Sequence, residues 1–135
     1  MKRVYVAGAY SADNVLAVLD NMRRGIRLGT ECLLVDFALF VPWLDHHLLL
    51  ILREGESLSV EDFYRYTLKW LEVADAVLVV PGYENSKCTL AEIARAEELD
   101  IPVFYHFDGL ESWANGDDQI DDDPSPEPEP IRETE

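Results

Sequence analysis

The sequence predicts a doubly wound α/β domain: three layers, with a parallel sheet of four to five strands between helices. Three observations carry this reading. Short β-branched runs alternate with longer segments of helical period along the chain. The clearest run, Asp75 to Val80, is apolar at every position after Asp75, as in a strand buried on both faces. The chain has 135 residues, 48% of them hydrophobic, enough for one domain with a core that needs no disulfide or metal.

The elements follow in order. RVYVAG, Arg3 to Gly8, reads as a buried strand closed by glycine. Ser11 and Asp13 are helix-start residues, and Val15, Leu16, Leu19, Met22, Ile26 and Leu33 then repeat at helical spacing. Gly25 and Gly29, four apart in that helix, predict a close approach of another backbone. Phe37 to Val41 is a second strand stopped by Pro42, and the apolar run from Trp43 to Arg53 reads as a helix. Ser59 and Asp62 form a capping box opening a helix from Val60 to about Val73. The strand Asp75 to Val80 ends at the turn signal Pro81-Gly82. Ser86 caps a helix to about Leu99, Ile101 to Tyr105 is a fourth strand, and Leu110 to Trp113 a short last helix. From Gly116 the chain turns acidic and proline-rich. The domain is therefore placed at residues 1–115 and a disordered tail at 116–135.

Composition excludes several functions. A formal net charge of −16 repels a phosphate backbone, so a nucleic-acid polymer is not an expected partner. Cys32 and Cys88 lack the spacing of a zinc site or a disulfide framework. The N-terminus has no apolar signal region, and no apolar stretch approaches the ~20 residues of a membrane span. A soluble cytoplasmic protein that needs neither membrane nor cofactor is expected.

Right-handed crossovers place the loops Gly8–Ser11, Pro42–His47 and Pro81–Lys87 on one sheet edge, where such folds bind ligands. The first, AGAYS, is neither a dinucleotide fingerprint nor a P-loop, but Gly8 would admit a ligand to the backbone. In the third, Glu92 sits in the second turn of a helix beside the sheet edge, which suits a nucleophile or general base. Thr89 and Glu92 also spell a T-x-x-E capping box, which would make Glu92 structural. Asp45-His46-His47 matches the signature of the DHH phosphoesterases, yet those enzymes also need aspartates after the first strand, where this chain has Gly8-Ala9-Tyr10. Adjacent histidines on a helix point about 100° apart and chelate one metal poorly. No metal site is therefore expected; Asp45 and His46 are assigned to substrate, with a partly buried surface histidine as the alternative. Trp43, Trp70, Tyr64 and Tyr66 could stack on a base or serve core and interface.

YVAGAYS, the long helix, FVPW, and WLEVADAVLVVPGYENSKCTLAEIARAEELDIPVF together resemble the nucleoside 2-deoxyribosyltransferase superfamily, most closely its DUF4406 branch. A more distant likeness is to the 2′-deoxynucleoside 5′-phosphate N-hydrolases. The resemblance runs from Arg3 to Phe104 and implies a flavodoxin- or Rossmann-like fold. Its most specific part is Ser86 followed six residues later by Glu92, similar to an S-x-G-x-x-x-E element. It implies that Glu92 is the nucleophile that attacks C1′ of a sugar, with Tyr10, near that sugar, as the second catalytic candidate. Gly8, Ser11 and Ser86 would line the phosphate or sugar side, and Lys87 is either a local positive charge or a solvated surface lysine. The expected ligand is a nucleoside or nucleotide, and the expected assembly a homodimer or larger. Two positions depart from the pattern. Thr67 stands where the family usually has an aspartate, and Cys88 where it has the motif glycine. These departures favour a non-catalytic binding module of the same fold, whereas Ser86 and Glu92 favour an enzyme. Asp75, at the start of its strand, reads as structural.

Overall fold

A computed structural model describes residues 1–116; the tail predicted to be disordered lies, from residue 117, outside the described residues. Four strands form one sheet: β1 (Arg3–Ala7), β2 (Ala38–Phe40), β3 (Ala76–Val79) and β4 (Val103–Phe104). Their order is β2-β1-β3-β4 and every pairing is parallel, with Val4 opposite Leu39 on one side and Ala76 on the other. Between them run α1 (Val15–Leu34), α2 (His46–Leu49), α3 (Val60–Leu71) and α4 (Lys87–Glu98), and α5 (Phe107–Ala114) follows β4.

The alternation of a strand divides the core into two layers. Val4, Ala76, Leu78 and Phe104 face Cys32 of α1 and Leu110 of α5. Tyr5, Ala7, Val77 and Val79 face Leu71 of α3 together with Ile93 and Ala96 of α4. Helices thus cover both faces, and the three-layer parallel fold is the one the sequence predicts.

Two helix-to-strand turns are Schellman motifs with aspartate in the place glycine usually takes. Asp36 (φ 71°) follows α1 and Asp100 (φ 57°) follows α4. Phe37 N–H closes on Cys32 O at 3.0 Å, and Ile101 N–H on Ala96 O at 2.9 Å, so each turn aims the next residues straight into the sheet.

Several local expectations are corrected. The N-cap of α1 is Asn14, whose side-chain oxygen accepts from Ala17 N–H at 2.9 Å, rather than Ser11 or Asp13. Of the predicted stripe, Met22 and Ile26 pack against the core, whereas Val15, Leu16, Leu19 and Leu33 are exposed, and the fully buried positions of α1 are Gly25, Gly29 and Cys32. A Cβ on Gly25 would lie 2.4 Å from the Trp43 ring, and one on Gly29 would lie 2.3 Å from Val41 Cγ1. The two glycines therefore admit side chains from the segment after β2, not another backbone. The helix read from Trp43 to Arg53 is a 3₁₀ turn, Pro42–Asp45, followed by the four residues of α2. Pro42 and the buried Trp43 anchor its start. Leu48 to Ile51 are all exposed, so no packed face sustains more turns. The capping box of α3 forms as spelled: Ser59 and Asp62 each accept from the other's backbone N–H. No helix among the described residues is long and apolar enough to cross a membrane.

Candidate functional site

In the order β2-β1-β3-β4 the chain leaves β1 in one direction and later returns on its other side, so the crevice between β1 and β3 is the topological switch point. A cavity of about 610 Å³ opens there. Its walls come from the loop after β1, the 3₁₀ turn and α2, the N-terminal half of α3, and the start of α4. The seven residues assigned to catalysis or substrate binding all lie on it: Gly8, Tyr10, Ser11, Asp45, His46, Ser86 and Glu92. His47 is exposed and is not a wall residue.

Glu92 is 7% exposed, and its Oε2 is buried without a hydrogen-bond partner. Burial pushes its carboxyl up to about 7, partly offset by the Tyr5 hydroxyl beside it. Tyr5 projects from β1 into the same space. Burial first, and the Glu92 carboxylate second, hold its phenol far above the usual range. The T-x-x-E box is not formed. Thr89 lies within α4, the cap is Ser86, and Glu92 is left outside the capping network. Ser86 Oγ accepts from Thr89 N–H at 3.3 Å and from Thr89 Oγ1 at 2.8 Å, so its own proton is the one it has left to donate.

The opposite wall is a polar chain on an apolar frame. Tyr10 Oη lies 3.3 Å from His46 Nδ1, and Asn21 Nδ2 donates to Tyr10 O at 3.2 Å, fixing the loop after β1 against α1. The Tyr66 hydroxyl donates to Asp45 Oδ1, and burial pushes the Asp45 carboxyl up to about 6. Trp43, fully buried, donates from Nε1 to Ala9 O at 3.1 Å. It is therefore a core residue that sets the loop, not a stacking platform. Trp70 stacks on Phe40 at 6.0 Å, away from the cavity. Gly8 has a packing duty as well, since a Cβ there would lie 2.8 Å from Val80 Cβ. Asp75 is tied to the start of the sheet, its carboxylate accepting from Arg3 N–H at 2.7 Å.

Thr67 and Cys88, the two departures from the resembled pattern, are both wall residues. Thr67 Oγ1 donates to Tyr64 O at 3.1 Å. Burial and the Glu92 carboxylate push the Cys88 thiol up, which keeps it neutral. Sequence reasoning missed Tyr5 and Phe63, and offered Tyr64 only as a general aromatic. Tyr5 had one visible signal: a hydroxyl inside an otherwise aliphatic buried strand. Among the described residues no group of three or more histidine, cysteine or acidic side chains gathers as a metal site.

Fold and site together define a parallel doubly wound α/β protein with a cavity at its switch point. Residues 42–105 match the family model described as "Domain of unknown function (DUF4406)". The matched segment runs from the 3₁₀ turn past β4 and contains Asp45, His46, Thr67, Ser86 and Glu92. A solved structure described as a conserved protein from Enterococcus faecalis V583 is similar, with a TM-score of 0.47 and 15% identity over 87% of this chain and 76% of that one. The comparison with curated proteins finds no significant match.

Proposed function

We propose that this protein cleaves the N-glycosidic bond of a nucleoside or nucleoside 5′-monophosphate, with Glu92 as nucleophile and water as acceptor. The observation that carries the reading is Glu92 itself. A carboxylate with one unpartnered buried oxygen on the wall of a ligand-sized cavity is expensive to keep unless it acts. Its resemblance to the nucleophile of the nucleoside 2-deoxyribosyltransferase superfamily gives it a task. Glu92 attacks C1′, and the base departs with the C1′–N electron pair as the bond breaks. Water then hydrolyses the glycosyl ester, its oxygen going to C1′ and the net proton to the base. Tyr10 and Ser86 hold sugar hydroxyls, and Asp45 and His46 meet the base. Two thiols without a disulfide, Cys32 and Cys88, suit a reducing compartment and so the cytoplasm. Exposed aliphatic side chains around the carboxyl edge of the sheet support a homodimer or larger assembly.

A second reading, a non-catalytic nucleotide or nucleotide-sugar binding module, is favoured by Thr67 and Cys88 on the cavity wall. One assay separates the two. The protein is incubated with ribo- and deoxyribonucleosides and their 5′-monophosphates, and free base is measured by chromatography beside Glu92→Gln. Base released by wild type and lost in the variant is the expected result. No release from any member, with protein at substrate concentration, leaves the binding module.

A further inference from the structure

We infer that the cavity selects the uncharged nucleoside and discriminates against its 5′-phosphate, an inference that rests on the proposed N-glycosidic reading and narrows its substrate. The charges on the walls carry it. Two carboxyl groups, Asp45 and Glu92, sit within the cavity, and the lysine among the wall residues, Lys87, is exposed at its rim. An exposed ammonium is screened by water and salt, whereas the buried carboxylate is not. Arg24 stands behind the wall residue Gly82, where a Cβ would lie 3.2 Å from its Nη2; it donates to the Pro81 carbonyl and lies 4.0 Å from Asp20 Oδ2.

The start of α4 is where this cavity would seat a phosphate, because its first backbone N–H groups lack helical partners. That place is partly taken. Ser86 already satisfies Thr89 N–H, and the Cys88 side chain stands on the cavity wall at the second position of the helix. A dianion there would meet the Glu92 carboxylate one helical turn away, in a chain of net charge −16. The remaining walls, among them Phe63, Tyr64 and Leu58, offer apolar surface to a base and a sugar ring.

The test uses C-nucleosides, whose carbon–carbon glycosidic bond keeps them intact on the wild-type protein. Pseudouridine and formycin A, each with its 5′-monophosphate, are titrated calorimetrically at pH 8. The expected result is a monophosphate Kd weaker than that of the nucleoside by roughly tenfold or more. Asp45→Asn should narrow the gap, and Lys87→Ala should leave it unchanged. Equal or tighter monophosphate binding overturns this inference while leaving the glycosidase reading intact, the more so if base is released from monophosphates. Binding of neither C-nucleoside, together with no base released from any nucleoside, overturns the proposed reaction and this inference with it.

Discussion

Glu92 shows what burying one carboxyl group costs a fold. A glutamate in the unfolded chain titrates near its ordinary value of 4.5, while the native carboxyl keeps its proton up to about 7. Between these values the native state binds more protons than the unfolded state. The stability of the neutral form is therefore complete below about 4.5 and is lost as pH rises through about 7. The shift corresponds to a cost on the order of 3 kcal/mol at alkaline pH. Glu92→Gln cannot ionise, so it should match wild type in urea unfolding near pH 4 and exceed it at pH 8 by up to about that amount. A variant less stable than wild type at pH 8 would show that the carboxylate has a stabilising partner. Under the proposed reaction Glu92 must be ionised to act as nucleophile, so kcat/KM for base release should rise through about pH 7 and level off above it. The Tyr5 hydroxyl, itself without a hydrogen-bond partner, stands beside the carboxyl and opposes part of the upward shift that burial causes. Tyr5→Phe should move the Glu92 titration, followed by carboxyl-carbon NMR, to higher pH; a downward move would contradict the arrangement of the two groups.

At the scale of elements, the joint between α1 and the segment after β2 decides whether the cavity has a fixed wall. Gly25 lies against the Trp43 ring, and Trp43 in turn holds Ala9 O in the loop after β1. A methyl group at 2.4 Å from a rigid, fully buried ring cannot be relieved by a rotamer change. Gly25→Ala should therefore cost about 1–3 kcal/mol through overpacking, despite alanine's better helix propensity. The gain expected from propensity alone, an increase in stability, would show that the joint is loose. This joint also marks the boundary of what was legible in the sequence. The strands, the capping box of α3 and the Ser86 cap of α4 are written in local patterns, so their positions were readable to within a few residues. The glycine spacing in α1 announced a close contact, but its partner, Trp43, comes from a different element and only tertiary packing identifies it. The apolar period of α1 holds only in part for the same reason: Met22 and Ile26 pack against the core, Val15, Leu16 and Leu19 are exposed, and the fully buried positions are glycine and cysteine. The loop residues of the site were readable because topology alone gathers the ends of parallel strands at one edge. Tyr5 and Phe63 were not, since their place on the wall depends on how α3 and α4 close over the second face of the sheet.

The whole molecule joins two opposed surface properties. It carries 27 acidic against 11 basic residues, nine of the acidic ones beyond residue 116, so two copies repel each other at long range. It also exposes large aliphatic side chains: Leu16 at 80%, Ile51 at 75% and Val60 at 71%. Each follows closely on a loop at the carboxyl edge of the sheet, the edge that holds the cavity mouth, and Val60 is itself a wall residue. A chain with this much charge needs no apolar surface for solubility, and leaving it in water is costly, at ~25 cal/mol per Å². Association through that edge would bury it and help to close the mouth. Short-range apolar attraction against long-range repulsion gives a definite salt dependence. Screening removes the repulsion beyond roughly 8 Å at physiological ionic strength and leaves the contact itself intact. Light scattering should therefore find twice the mass of one chain, with the dimer fraction rising from low to moderate salt. Leu16→Glu combined with Ile51→Glu should return the protein to a single-chain mass while its circular dichroism stays unchanged. A single-chain mass for wild type at every salt concentration would remove the dimer, and the aliphatic lip would then belong to the ligand alone.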